Sequence, residues 1–200
     1  MPGVHTLGSE IAQAAARLVV TEGLEYGPAK HRALRELGLA QRTTLPPNNL
    51  VERAVHEYIA LFCAATQPGE LLALRRLALL WMQRMADFRP YLSGAVWHGT
   101  ATRRSDVHLE LFCDDCKSAE MALIEHHVTY QPRTAAGVRG ASVPVLSVHA
   151  FCPELGEDVG VHLHIHDHSD LRGALRADTL GRAPRGDLAA VRGLLHDRSS

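Results

Sequence analysis

Two short segments alternate strictly between polar and apolar residues, and no other feature of the chain constrains its fold as tightly. Asp106-Val107-His108-Leu109-Glu110-Leu111 and Val161-His162-Leu163-His164-Ile165-His166 both repeat with period two. Only an extended strand uses that period, because successive side chains then point to opposite faces. Val107, Leu109 and Leu111 share one face of the first strand, and Asp106, His108 and Glu110 share the other. On the second strand Val161, Leu163 and Ile165 oppose three histidines. A chain with two such strands needs a sheet with one covered face and one polar face.

Upstream of Pro90 the period is helical instead. Ile11, Ala15, Leu18 and Val19 predict a helix from Ser9 to Val20 that Gly23 stops. Pro28 suits the first turn of a second helix running over Ala29–Leu37 to Gly38. After a linker, Thr43–Pro47, Asn49 and Glu52 have the spacing of a capping pair for a helix reaching about Thr66. Pro68 opens the longest helix, Gly69 to about Phe88, and Pro90 closes it. Beyond Pro90, strands are expected at Tyr91–Trp97, Asp106–Cys113, Val143–Cys152 and Gly160–Asp167, with a helix at Lys117–His127. Gln131–Gly140 and Thr179–Gly186 read as loops, Asp170–Leu175 as one helical turn and Asp187–Leu195 as a short helix. The fold class is α+β: a helical region, 1–89, followed by a small mixed sheet backed by helices, 90–200.

Composition agrees with this division. Of the 200 residues 46% are hydrophobic but only 5% aromatic, a mixture that favours helices over an all-β fold. A net charge of -1 and a pI near 6.9 leave no strong electrostatic footprint for nucleic acid. No apolar run reaches the roughly 18–20 residues that span a bilayer, and Met1–Ser9 has no signal-peptide pattern. Cys63, Cys113, Cys116 and Cys152 suit a reduced compartment. A cytoplasmic protein is the expectation.

Leu92-Ser93-Gly94-Ala95 ends an apolar run in a glycine turn, and a polar loop then leads to Ser105-Asp106 at the head of the alternating strand. This arrangement resembles the nucleotidyltransferase superfamily, the polymerase-beta-like group with the minimal and kanamycin-type nucleotidyltransferases. Its signature is a Gly-Ser turn, a spacer and Asp-x-Asp on the next strand. The resemblance covers about residues 70–170. It implies a mixed sheet with helices on one face and the active site on the other. It also implies two magnesium ions held by three carboxylates, which align an attacking hydroxyl with the α-phosphate of a nucleoside triphosphate.

Carried over residue by residue, Asp106 matches the first carboxylate and Gly94 the turn glycine. Ala95 stands where the family has serine, leaving backbone contacts to phosphate. His108 stands where the second aspartate belongs. Glu110 is the substitute acid, about 7 Å further along the strand. The strand that should supply the third carboxylate offers His162 and His164 instead. Magnesium takes hard oxygen ligands and rarely imidazole, so this donor set points to a degenerate site. The chain then acts as a nucleotide-, metal- or partner-binding domain. The alternative is an active divergent enzyme that moves a nucleoside monophosphate from a triphosphate to a small molecule or protein acceptor.

Several residues stay open between two readings. Asp106 reads as a metal ligand or as a cap of its turn. His162, His164, His166 and His168, with His108 and Asp106 from the adjacent strand, read as a site for a transition metal such as Zn2+, or as histidines on a solvent-facing strand. Arg103 and Arg104 suit contact with a triphosphate, and equally suit plain solvation. Cys113 and Cys116 have half the spacing of a zinc knuckle, for which Cys152 and His126 or His127 would complete the set.

Overall fold

The computed structural model describes residues 6–136, 140, 142–177 and 181–196, the side chains of Cys116 and Ala136 excepted. Its contacts divide the chain into two compact units: Met1–Gly69 with Thr100–Ser105, and Glu70–Gly99 with Asp106–Ser200.

The first unit holds α1 (Leu7–Glu22), α2 (Tyr26–Glu36) and α3 (Asn48–Phe62). Thr6 caps α1, and Gly23 ends it in the left-handed conformation at φ 72°, as a C-terminal glycine is expected to. The apolar faces of the helices meet in a core that includes Ile11, Leu18, Val51, Val55 and Ile59. The cap expected from Asn49 and Glu52 is not made. Pro47 takes the cap position without a side-chain bond, and Asn48 Oδ1 instead accepts from Lys30 Nζ at 2.8 Å. The loop Thr100–Ser105 belongs here as well. Thr102 Oγ1 donates to the Val20 carbonyl at 3.1 Å, and Gln67 Nε2 donates to that of Ala101 at 2.8 Å. A Cβ on Gly23 would lie 2.0 Å from the Arg104 carbonyl oxygen, so only glycine admits this loop.

The second unit contains all but the first turn of α4 (Gln67–Arg84), the helix that precedes Pro90. Arg75, only 7% exposed, anchors α4 to the chain beyond Pro90 by donating to the carbonyls of Val96 and Trp97 at 3.2 and 3.3 Å. The sheet has five strands: β1 (Tyr91–Ser93), β2 (Val107–Cys113), β3 (Gln131–Ala136), β4 (Ser142–Cys152) and β5 (Glu157–Asp167). Their order is β1-β2-β5-β4-β3. The β2–β5 pair is parallel and the others are antiparallel, so the fold is α+β with a mixed sheet, as expected. Val107, Leu109, Leu111, Val161 and Leu163 are wholly buried, which makes their face the covered one.

Two further expectations are corrected. The strand predicted through Trp97 ends at Ser93, and Gly94–His98 is a short helix, α5. Gly94 and Gly99 bracket it at φ 69° and 84°, left-handed turns that take the chain out of the sheet and stop the helix. The loop predicted over Gln131–Gly140 begins instead as strand β3, because the backbone of β4 offers it a ladder from Ser142 to Ser147; residues 137–139 lie outside the described residues. The remaining helices are α6 (Cys116–Glu125), α7 (Leu171–Ala174) and α8 (Leu188–His196). Asp187 caps α8 by accepting from the Ala190 N–H at 2.8 Å.

After residues 178–180, which are not described, the chain returns to β1. Leu92 and Gly186 exchange two backbone hydrogen bonds, 2.8 and 2.9 Å, and Trp97 Nε1 donates to the Ala183 carbonyl at 2.8 Å. This strap runs along the outer edge of the sheet. Among the described residues no helix is long and apolar enough to cross a membrane.

Candidate functional site

The polar face of the β2–β5 pair carries a ladder of three side-chain hydrogen bonds. In Cα register His108 pairs with His162 and Glu110 with His164. The side chains lean by one pair, so each rung joins a β2 residue to the histidine two positions further along β5. His162 Nε2–H donates to Asp106 Oδ2 at 2.9 Å. His108 Nδ1 and His164 Nε2 share a hydrogen at 3.1 Å. His166 Nε2–H donates to Glu110 Oε2 at 2.5 Å. The period two of both sequences produces this repeat, since every second residue returns to the same face.

The first rung is set by a glycine. Asp106 Oδ1 accepts from the Gly160 N–H at 3.2 Å, and a Cβ at 160 would stand 2.7 Å from that carboxyl group. Asp106 is therefore gripped at both oxygens while its side chain remains 48% exposed. The hydrogen bond from His162 holds its carboxyl below the ordinary carboxylate range, against the opposing effect of burial. Behind His162, Ser147 Oγ lies 2.9 Å from Nδ1. With Nε2–H committed to Asp106, Nδ1 shares a hydrogen with the serine hydroxyl, which orients the ring. Ser147, His162 and Asp106 thus line up as serine, histidine and acid. The serine is only 4% exposed within the sheet, so no substrate reaches it as a nucleophile, and the line is an orienting chain for Asp106.

The middle rung joins two imidazoles. Burial pushes the His164 imidazole down to about 4, and the neighbouring histidines act in the same direction against Glu110. His164 is thus neutral at physiological pH. His108 also packs against His162 with ring centroids 5.0 Å apart, and a Cβ on Gly94 would reach it at 3.6 Å. The turn glycine of the sequence motif therefore does stand beside the face, with Ala95 next in α5.

The third rung is the most enclosed. Burial pushes the Glu110 carboxyl up, but His166, the charges of His164 and Arg185, and the Ser93 hydroxyl together hold it at about 2. Ser93 Oγ donates to Oε1 at 2.8 Å, and Arg185 Nη1 stands 3.8 Å from Oε2. His166 stacks on Phe112 with centroids 5.2 Å apart.

The sequence-derived set is thus partly assembled. Asp106, His108, His162 and His164 share one face, but as hydrogen-bonded pairs. Among the described residues no group of three or more His, Cys, Asp or Glu side chains is placed to hold a metal ion. Glu110 does not join Asp106 and closes its own rung. Arg103 is exposed in the loop that belongs with the helical unit. Cys113 is half-buried and Cys152 buried, and the Cys116 side chain lies outside the described residues. His166, the third histidine of the alternating strand, shares this face but pairs with Glu110 rather than with the other histidines. Ser93, Ser147 and Arg185 are the participants that the sequence reading did not select, and none of them carries a local signal.

Magnesium does not fit these residues. A hard ion needs several oxygens in near-octahedral array. Here one carboxylate is engaged at both oxygens, the next same-face position is an imidazole, and Glu110 is already neutralised by protein groups.

No family model matches the chain, and no curated protein matches it. Among solved structures it is similar to the Cid1 poly(U) polymerase with MgGTP bound, at 13% identity and a TM-score of 0.36 over 56% of this chain and 38% of that one. It is also similar to Cid1 in complex with the UTP analog UMPNPP, at 14% identity and a TM-score of 0.37, over 56% and 37%. The chain thus spans well under half the length of the proteins it matches. Similarity at this level transfers neither activity nor ligand.

Proposed function

We propose that this chain carries a nucleotidyltransferase-like domain, 90–200, behind a helical region, 1–89, and that it binds a nucleotide without magnesium-dependent transfer. The observation that carries this reading is the ladder. Where the resemblance calls for carboxylates converging on metal, Asp106 is paired with His162, His108 with His164, and Glu110 with His166. The backbone turn at Gly94 and Ala95 and the half-exposed Asp106 remain as contacts for a ligand on the open face. A cytoplasmic setting belongs to the same proposal.

One feature favours the alternative of an active transferase: Asp106 is kept ionised and accessible, as a first metal ligand would be. The experiment that separates the two measures ATP binding with and without magnesium, and pyrophosphate release with common acceptors. The binding reading expects weak ATP binding that magnesium does not strengthen, and no pyrophosphate. Steady pyrophosphate release that disappears in Asp106→Ala would instead establish the enzyme.

A further inference from the structure

Glu110 is the most enclosed carboxylate of the ladder, with its side chain 13% exposed. Three groups surround it: Ser93 Oγ at 2.8 Å, His166 Nε2 at 2.5 Å and Arg185 Nη1 at 3.8 Å. The first two sit on strands β1 and β5. Arg185 arrives from far along the chain, on the strap that bonds to Leu92 through Gly186.

The strap is built to deliver that residue. Position 186 admits only glycine, since a Cβ there would lie 2.1 Å from the Trp97 ring, and the same indole holds Ala183 by its N–H. Arg185 itself is poorly satisfied. Its Nε and Nη1 are buried without a hydrogen-bond partner, a costly state for a cation. A packed apolar residue at 185 would avoid that cost, and buried ion pairs are often matched in stability by such replacements. What the guanidinium supplies, and an apolar residue would not, is a positive charge beside Glu110.

We propose that Arg185 is a resident counter-ion for Glu110, and that it excludes a divalent cation from this end of the sheet. A second cation placed on Glu110 would meet the guanidinium within a few ångströms, in surroundings where charges are weakly screened. The polar face is then complete without metal, whatever ligand it takes.

The test uses the full chain and Mn2+ alone, followed by paramagnetic broadening of the Glu110 and His166 side-chain signals. Wild type should show no saturable broadening, and Arg185→Met should gain Mn2+ affinity at Glu110 by tenfold or more. Arg185→Lys, which keeps the charge, should behave as wild type. Saturable Mn2+ binding at Glu110 in the wild type, or no gain in Arg185→Met, would overturn the proposal. Should Arg185→Met fail to fold, hydrogen exchange in Glu110→Gln decides: the Leu92 and Gly186 amides should exchange at least tenfold faster once the strap loses its ion pair. Unchanged exchange there would also overturn it.

Discussion

Gly160 and Asp106 are in such close approach that a single methyl group at 160 would lie 2.7 Å from the carboxyl carbon. The glycine is thus a condition of the first rung. Gly160→Ala should push Asp106 off the β5 backbone and break its bonds to the Gly160 amide and His162. Overpacking of this kind costs about 1–3 kcal/mol, which chemical denaturation would read. The His162 ring signals should shift toward those of an unpaired imidazole. A variant with wild-type stability and an unmoved His162 would show that Asp106 is not held against β5.

His108→Asp restores the Asp-x-Asp pattern on a strand already in place. It also removes the shared hydrogen between His108 and His164, at a cost near 1 kcal/mol. Two carboxylates two residues apart can share a divalent ion, so magnesium affinity should rise, as isothermal titration would record. A parallel zinc titration tests the softer-metal reading, under which the same change weakens zinc binding. No response to either ion would rule out a cation role for this face at position 108.

Ser147→Ala should leave half-buried His162 Nδ1 without its serine partner, destabilising the fold by about 1–2 kcal/mol. Since the serine is enclosed, esterase assays on wild type and variant should both read background. Ester turnover lost in the variant would mean that the Ser147–His162–Asp106 line is a working triad.

Acid should weaken the fold in two steps. His164 is held at about 4 against an ordinary 6.5. The unfolded chain therefore binds that proton first, and stability falls as pH drops from 6.5 to 4. Glu110 is held at about 2 against 4.5; its contribution is complete above 4.5 and is lost as pH falls toward 2. Each group contributes on the order of 3 kcal/mol above its window. Denaturant midpoints should therefore decline from about pH 6.5 downward. In His164→Phe the upper decline should be absent and the lower one smaller but still present, since His166, Arg185 and Ser93 still hold Glu110 low.

The parallel pair, β2 and β5, was legible in the sequence because each strand has one wet and one dry face, and period two encodes that directly. The helical half was legible for the corresponding reason. Ala95-Val96-Trp97 reads as strand by composition, and only the left-handed glycines at 94 and 99 turn it into α5. Strand β3, Gln-Pro-Arg-Thr-Ala-Ala, has no polar–apolar alternation and takes its form from the backbone of β4, which no local pattern in Gln131–Ala136 reports. The site divides similarly. That Asp106, His108 and Glu110 face the histidines follows from alternation. Which histidine each one meets depends on how side chains lean between parallel strands. Ser93, Ser147 and Arg185 enter only through tertiary pairing.

The exchange of backbone bonds between Leu92 and Gly186 also settles how the sheet terminates. An edge strand presents unpaired N–H and C=O groups that another chain can copy onto, the first step of sheet-to-sheet aggregation. At β1 the strap occupies part of that template. At the opposite margin β3 carries Pro132, which lacks an N–H, and the exposed Arg133, both of which discourage a flat intermolecular pairing. Displacing the strap would uncover an adhesive margin as well as a carboxylate. Solubility and the electrostatics of Glu110 therefore depend on one and the same short segment, Gly181 to Asp187.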